Sequence, residues 1–203
     1  MSISKKTFYI LFFSGLIVAF YFIITSLVPE FKRSKLTPIS RAKPFFFTNQ
    51  EGKQVTEKDV AGKVFVASYF FTTCRGICPE MNGNLKKVYE RFKGEKDFLI
   101  LSHTSDPEVD SVPRIKRYAD SIGADPANWI FLTGRKDSLY NMARFAYAVD
   151  DPANNLKSID DDFLHTQFWA LVNKRGEVFK IYDGLKMDEV NSLIRDIEKT
   201  LKD

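Results

Sequence analysis

The chain has very few of the residues that usually carry redox or metal chemistry, with two cysteines and two histidines in 203 residues. Both cysteines, Cys74 and Cys78, lie in the single stretch SYFFTTCRGICPEMNGNL. Since no cysteine lies near the N-terminus, we expect no lipid-modified N-terminal cysteine. The search for side chains that act together with the cysteines is therefore short, because it involves only His103 and His165.

Charge is absent from a long stretch near the N-terminus, between Lys6 and Glu30. About 22 helical residues at about 1.5 Å rise cross the roughly 30 Å hydrocarbon layer of a membrane. A cleavable signal peptide is the alternative, with a shorter apolar core of about 7–15 residues and an A-x-A-like site. The sequence TSLVPEF at the end of the run offers no such site. We predict a retained transmembrane anchor at residues 7–28, after a cytoplasmic tail at residues 1–6.

The orientation of this anchor is poorly marked by charge. Lys5 and Lys6 precede the run, whereas Lys32, Arg33 and Lys35 follow it, so the positive-inside count is ambiguous or adverse. A short N-terminal tail before a first apolar span usually stays in the cytoplasm. We therefore predict that the domain lies on the exported, periplasmic side of the membrane.

A strong excess of either charge is also missing. The net charge is +4, and Lys5 and Lys6 before the apolar run supply half of it. A nucleic-acid-binding face needs clustered basic residues, and none is visible. Internal repeats and low-complexity tracts are absent too, so we expect a protein with a mixed surface and no nucleic-acid partner.

The remaining pattern alternates apolar strands with helices after a polar tether at residues 29–43. Predicted elements are strands at 64–71, 97–104 and 129–134, helices at 79–94, 112–123 and 135–149, a hairpin at 166–184 and a final helix from Met187. Such alternation is typical of a parallel sheet covered by helices. We predict an α/β, thioredoxin-like fold at residues 44–203, with a central, mostly parallel sheet and a final β-hairpin.

The two cysteines are predicted to lie at the start of the helix that follows the first buried strand. Pro79 suits a first helical turn, which places Cys78 near the N-cap, where backbone N–H groups stabilise an anion. We expect the pKa of Cys78 to fall as a result, with Arg75 adding a positive charge nearby. Three uses remain open: a structural disulfide or two core cysteines, a redox-active dithiol, and a soft-metal site for copper or zinc.

A metal site would need a third ligand, and position favours His165. This residue precedes the penultimate strand, a place beside the helix-start loop where thioredoxin-like oxidoreductases typically carry a cis-proline. Two thiolates and one imidazole suit Cu(II) and are compatible with Cu(I). His103, at the end of the second buried strand, is expected to be a hydrogen-bonded strand-end histidine instead.

The segments TTCRGICPEM, SHTSDPEVDS, WIFLTG and HTQFWALVNKRGEV resemble the Sco/SenC family of membrane-anchored copper chaperones for cytochrome c oxidase assembly. The resemblance covers residues 44–200. It implies copper as the metal, Cys74, Cys78 and His165 as its ligands, and the copper-accepting subunit of cytochrome c oxidase as a partner. The copper donor is not implied.

The same resemblance implies that Asp106 and Asp110 lie near the site. We expect a metal-binding assembly factor that is not a turnover enzyme. The alternative is a membrane-anchored thiol–disulfide oxidoreductase that reduces a partner's cysteines through Cys74 and Cys78. A peroxidase and a binding module with an inert disulfide are further alternatives.

Overall fold

The computed structural model describes residues 4–27, 37–154, 159 and 162–203. The chain divides into two compact units, one ending at Thr37 and the other running from Pro38 to Asp203. Residue 28 of the predicted anchor and residues 29–36 of the predicted tether lie outside the described residues. Residues Ser40 and Arg41, also assigned to the tether, form a short strand paired with Val178 and Glu177, so the folded unit begins before residue 44.

The first unit contains one long helix, α1 (Lys5–Leu27). Residues Lys5–Ser26 of this helix are long and apolar enough to cross a membrane. The absence of charge after Lys6 explains this property. The helix therefore fits the membrane anchor predicted at residues 7–28.

The second unit is built on one eight-stranded sheet. Its strands are β1 (Ser40–Arg41), β2 (Phe46–Asn49), β3 (Gln54–Thr56), β4 (Val64–Phe70), β5 (Phe98–Thr104), β6 (Trp129–Thr133), β7 (Phe168–Val172) and β8 (Glu177–Asp183). Their order in the sheet is β1-β8-β7-β4-β5-β6-β2-β3. All seven residues of β4 and all seven of β5 are buried, as expected for strands covered on both faces.

The strand directions confirm the predicted fold class and correct one detail of it. β4, β5 and β6 run parallel to one another, whereas the other five neighbouring pairs among the described strands are antiparallel. The sheet is therefore mixed rather than mostly parallel. The predicted final hairpin is present as β7 and β8, and its strand β7 pairs with β4.

Helices cover both faces of the sheet. Among the described residues of this unit, the α-helices are α2 (Ile77–Phe92), α3 (Val112–Ile122), α4 (Lys136–Asn141) and α5 (Met187–Thr200). Alternate residues of β4 face opposite sides, with Val64 and Val66 packed in the cluster of α2, α3 and α5. Phe65 and Tyr69 belong to the cluster that contains α4. This two-sided core holds the strand ends that carry the site.

Two helices differ most from their predicted bounds. The helix predicted at 135–149 consists of α4 followed by a π-helical turn, Met142–Ala146, and then by Ala148 with φ 54°. The π-helical turn carries the buried Arg144, whose guanidinium is paired with Asp150 and Asp162. The other difference is that α2 begins at Ile77 rather than near Pro79. Proline is tolerated there because the first four N–H groups of a helix have no intrahelical partner.

Candidate metal and dithiol site

The candidate site lies where β4 and β5 end and α2 begins. Parallel strands bring their carboxyl ends to the same edge of a sheet, where open α/β folds usually form their sites. The loop that carries Cys74 follows β4 directly, and Cys78 lies in the first turn of α2. A turn hydrogen bond from the N–H of Cys74 to the carbonyl of Phe71 shapes this loop.

The buried Asp110 joins the start of the cysteine loop to the loop after β5 through hydrogen bonds. The backbone N–H of Thr72 donates to Asp110 Oδ2 at 3.1 Å, and the Thr72 hydroxyl donates to Asp110 Oδ1. The Thr104 hydroxyl donates to Oδ2 at 2.6 Å. Arg114 Nε donates to the Thr72 hydroxyl at 2.7 Å and lies 3.8 Å from Asp110 Oδ1. Asp110 therefore acts on the site through the backbone that leads to Cys74.

Asp106 has a different role from Asp110. Its backbone N–H donates to the Thr104 hydroxyl at 2.9 Å, and its carbonyl accepts the N–H of Asp110 at 2.8 Å. Partial burial, followed by the charge of Asp110, raises the pKa of the Asp106 carboxyl. The acidic stretch thus lies near the site, as the resemblance implied, with Asp110 making the contacts to the cysteine loop.

The two cysteines are free thiols in unequal environments. Burial opposes ionisation of Cys74, but hydrogen bonds from the Cys78 thiol and from the N–H groups of Cys78, Gly76 and Ile77 outweigh burial and lower the pKa of Cys74. Burial, followed by the thiol hydrogen bond to Cys74, raises the pKa of Cys78 to about 12. The prediction that the pKa of Cys78 falls was wrong, because the sulfur that faces the helix N–H groups belongs to Cys74.

His165 lies on the rim of the site and is exposed. Its ring centre is 5.1 Å from that of Phe71 and 5.2 Å from that of Phe163. His165 and Cys78 line the same small cavity of about 10 Å³, about the smallest volume that holds a single water. The predicted third ligand is therefore a neighbour of the dithiol, with its ring packed on two aromatic rings.

The three predicted ligands are close without forming a closed coordination site. Within the ranges that the structure describes, no three His, Cys, Asp or Glu side chains converge closely enough to hold a metal ion. Each thiol shifts the pKa of the other, so the two sulfurs are neighbours that one small ion could contact together. Two thiols and an imidazole are a donor set of the kind that suits copper.

His103 lies in the core, away from this rim. It is fully buried, and its ring stacks on Tyr69 with centroids 5.1 Å apart and lies 5.2 Å from the ring of Tyr147. Nδ1 lies 3.3 Å from the carbonyl of Ser68. Burial lowers the pKa of His103 to about 4, so the ring is neutral at physiological pH. The geometry agrees with the expectation of a hydrogen-bonded strand-end histidine.

Sequence reasoning missed Thr72 and Arg114, which complete the Asp110 network. The contacts join residues 38 and 42 positions apart, and no local pattern marks them. Phe71 and Phe163 were missed as well. Their part in the site depends on the approach of two loops, which periodicity along the chain does not report.

The comparisons with known proteins point to one family. The sequence model of SCO1/SenC matches residues 34–202. The SCO1 protein homolog of Bacillus subtilis (strain 168) is 32% identical over 165 residues, which is 78% of this chain and 83% of the relative.

Similar solved structures also come from the Sco family. One is BsSco, described as a member of the Sco family of cytochrome c oxidase assembly proteins with a disulfide switch. It is 29% identical, with a TM-score of 0.67 over 81% of this chain and 95% of its own. Arabidopsis thaliana ScoI with copper bound is 28% identical, with a TM-score of 0.62 over 80% of this chain and 99% of its own.

Proposed function

This chain belongs to the SCO1/SenC family, and from that premise we propose that it binds copper through Cys74, Cys78 and His165 and donates it during cytochrome c oxidase assembly. The observation that carries the proposal is the shared location of the three groups. Cys74 and Cys78 are close enough to shift each other's pKa, and Cys78 and His165 line one cavity. The copper-bound relative and the oxidase-assembly relative support the choice of metal and of partner.

The geometry suits transfer of copper as cargo better than permanent storage. His165 is exposed and Cys74 is partly exposed, so thiolates of an acceptor can approach while the ion is still held. Few protein ligands allow stepwise replacement of outgoing ligands by incoming ones. If α1 anchors the chain with the domain on the exported side, the tether raises the local concentration of bound copper near a membrane-embedded acceptor. The copper-accepting subunit of the oxidase is the acceptor that we propose.

A copper titration of the reduced full chain in detergent micelles tests the ligand set. One equivalent of Cu(II) should produce thiolate-to-copper charge-transfer absorption, which should be lost in both Cys74→Ser and Cys78→Ser. His165→Ala should weaken binding and change the EPR spectrum. An unchanged spectrum in the Cys74→Ser, Cys78→Ser double variant would remove both sulfurs from the proposal.

A second candidate function, dithiol reduction of a partner protein, is favoured by the unequal thiols. The Cys74 thiolate, with its lowered pKa, would attack a disulfide of the partner and release one partner thiolate. The Cys78 thiol would then give its proton to the released partner thiolate and attack Cys74 Sγ, releasing the second partner thiolate. Two electrons pass to the partner, and a Cys74–Cys78 disulfide remains.

Trapping experiments separate this candidate from copper donation. Mixed with a disulfide-bonded peptide, Cys78→Ser should accumulate a mixed disulfide through Cys74, whereas Cys74→Ser should not. Copper-loaded wild type should not reduce the peptide, because both sulfurs are then bound to the metal. Absence of a mixed disulfide in Cys78→Ser would count against the reductase.

A further inference from the structure

The segment that carries His165 is held in place at three points, and the first of these is a buried ion pair. Asp162 and Arg144 are both buried, and two bonds join them: Arg144 Nη1 donates to Asp162 Oδ2 at 2.6 Å, and Nη2 donates to Oδ1 at 3.0 Å. Arg144 Nε also donates to Asp150 Oδ2 at 2.8 Å. A paired guanidinium fork fixes both distance and direction. The chain is therefore held three residues before His165.

The second point of attachment is the hydroxyl of Tyr140, on α4. This hydroxyl donates to the carbonyl of Ser105 at 2.7 Å and accepts the backbone N–H of Leu164 at 3.1 Å. Ser105 directly follows β5, and Leu164 directly precedes His165. One buried oxygen atom thus ties the residue before the proposed ligand to the end of a central strand.

The third point follows His165. The Thr166 hydroxyl donates to the carbonyl of Val149 at 2.5 Å. Residues 162, 164 and 166 are thus anchored, whereas Phe163 and His165 between them are exposed. The pattern fixes the backbone and leaves the His165 side chain facing outward.

We propose that Tyr140 is a positioning residue for His165, acting through the backbone of Leu164. The inference rests on the proposed function, because it gives His165 its role as a copper ligand. A fixed backbone lowers the conformational entropy that ligand binding must remove, so only the imidazole has to be ordered around the ion. The exposed ring keeps the freedom to leave Phe71 and Phe163 when copper binds.

Tyr140→Phe tests this role with little change in packing, because it keeps the aromatic ring. Lys136 Nζ lies 5.7 Å from the centre of this ring, and Arg144 Cζ lies 5.5 Å from it. The matched control is Tyr182→Phe. It removes a single hydroxyl hydrogen bond, 2.9 Å to Asp196, where Tyr140→Phe removes the bonds to Ser105 and Leu164, and it lies in the core cluster packed on α5. Amide hydrogen exchange of metal-free protein should show faster exchange at Leu164 in Tyr140→Phe than in wild type or Tyr182→Phe. Unchanged exchange at Leu164 would overturn the inference.

Copper affinity provides the second measurement, with His165→Ala as the background. Tyr140→Phe should lower Cu(II) affinity about three- to tenfold, the range given by the net contribution of one hydrogen bond. In a His165→Ala background the same substitution should have no further effect. An equal loss in both backgrounds would mean that Tyr140 does not act through His165.

The two proposals fail in different ways. If His165→Ala leaves copper affinity unchanged, the proposed ligand set falls, and the inference falls with it. If His165→Ala weakens binding while Tyr140→Phe has wild-type affinity and spectra, only the inference falls.

Discussion

Replacement of Asp110 by asparagine should disturb both the stability of the domain and its copper site. Asp110 is fully buried and accepts hydrogen bonds from the Thr72 N–H, the Thr72 hydroxyl and the Thr104 hydroxyl. Asparagine offers one acceptor oxygen and turns its NH₂ group toward donors that need an acceptor. The variant therefore loses charge-assisted bonds and leaves at least one buried donor without a partner.

The magnitude follows from these contacts. A hydrogen bond to a charged group contributes about 1.5–3 kcal/mol, and a buried donor left unsatisfied costs about 1–3 kcal/mol. Relaxation of Thr72, which is partly exposed, recovers part of this loss. We expect the free energy of unfolding to fall by about 2–4 kcal/mol and the melting temperature by roughly 4–16 °C, at about 2–4 °C per kcal/mol for a domain of this size.

The assay is thermal and urea unfolding of the metal-free chain, followed by copper titration at a temperature where both proteins are folded. Thr72 lies two residues before Cys74, so copper affinity should fall as well. Asp106→Asn is the matched control, because it makes the same chemical change in the same loop without the bonds to Thr72. Wild-type stability in Asp110→Asn, or an equal loss in Asp106→Asn, would refute this reasoning.

Four further predictions concern the thiols, the histidines and the anchor. Cys74 should react with iodoacetamide faster than Cys78 near neutral pH, as measured by peptide mass spectrometry, because its pKa is lowered while that of Cys78 is raised to about 12; faster labelling of Cys78 would contradict the assignment. His103→Ala should leave copper affinity within about tenfold, or roughly 1.4 kcal/mol, whereas His165→Ala should weaken it more, and the reverse ranking would exclude His165 as the ligand. Because the pKa of His103 is lowered to about 4, its neutral ring contributes fully to the free energy of unfolding above about pH 6.5, and this contribution is lost as pH falls toward 4. The free energy of unfolding of His103→Phe, measured in urea, should therefore depend less on pH in this window than that of wild type. An equal pH dependence of the two proteins would count against a neutral buried ring. Protease added to intact spheroplasts should degrade the domain, and full protection would place it in the cytoplasm.

The sequence was sufficient for the features that depend on local pattern. The continuous apolar runs of β4 and β5 marked two buried strands, and Pro79 marked the beginning of a helix within two residues. The spacing of Cys74 and Cys78 placed both sulfurs around one loop. Each of these predictions needs only the chain within a few positions, which is where propensity and periodicity carry information.

The features that the sequence did not reveal depend on contacts between distant segments. Which sulfur faces the N–H groups of α2 is decided by the loop conformation, so the lower pKa was assigned to Cys78 rather than Cys74. The π-helical turn at Met142–Ala146 accompanies pairing of the buried Arg144 with Asp162, 18 residues away. The antiparallel strands on either side of β4, β5 and β6 also pair with strands that are distant in the sequence, such as β2 with β6 and β7 with β4.

The measurement that tests the central claim most directly is copper stoichiometry on reduced and oxidised protein, with free thiols counted in parallel. Copper binding needs both sulfurs as thiolates, and a Cys74–Cys78 disulfide offers neither. We expect the reduced chain to bind one copper ion and then to resist alkylation, and the oxidised chain to bind little copper until it is reduced. Equal uptake of copper by the fully oxidised chain would contradict the account, because the two cysteines could not then be the ligands.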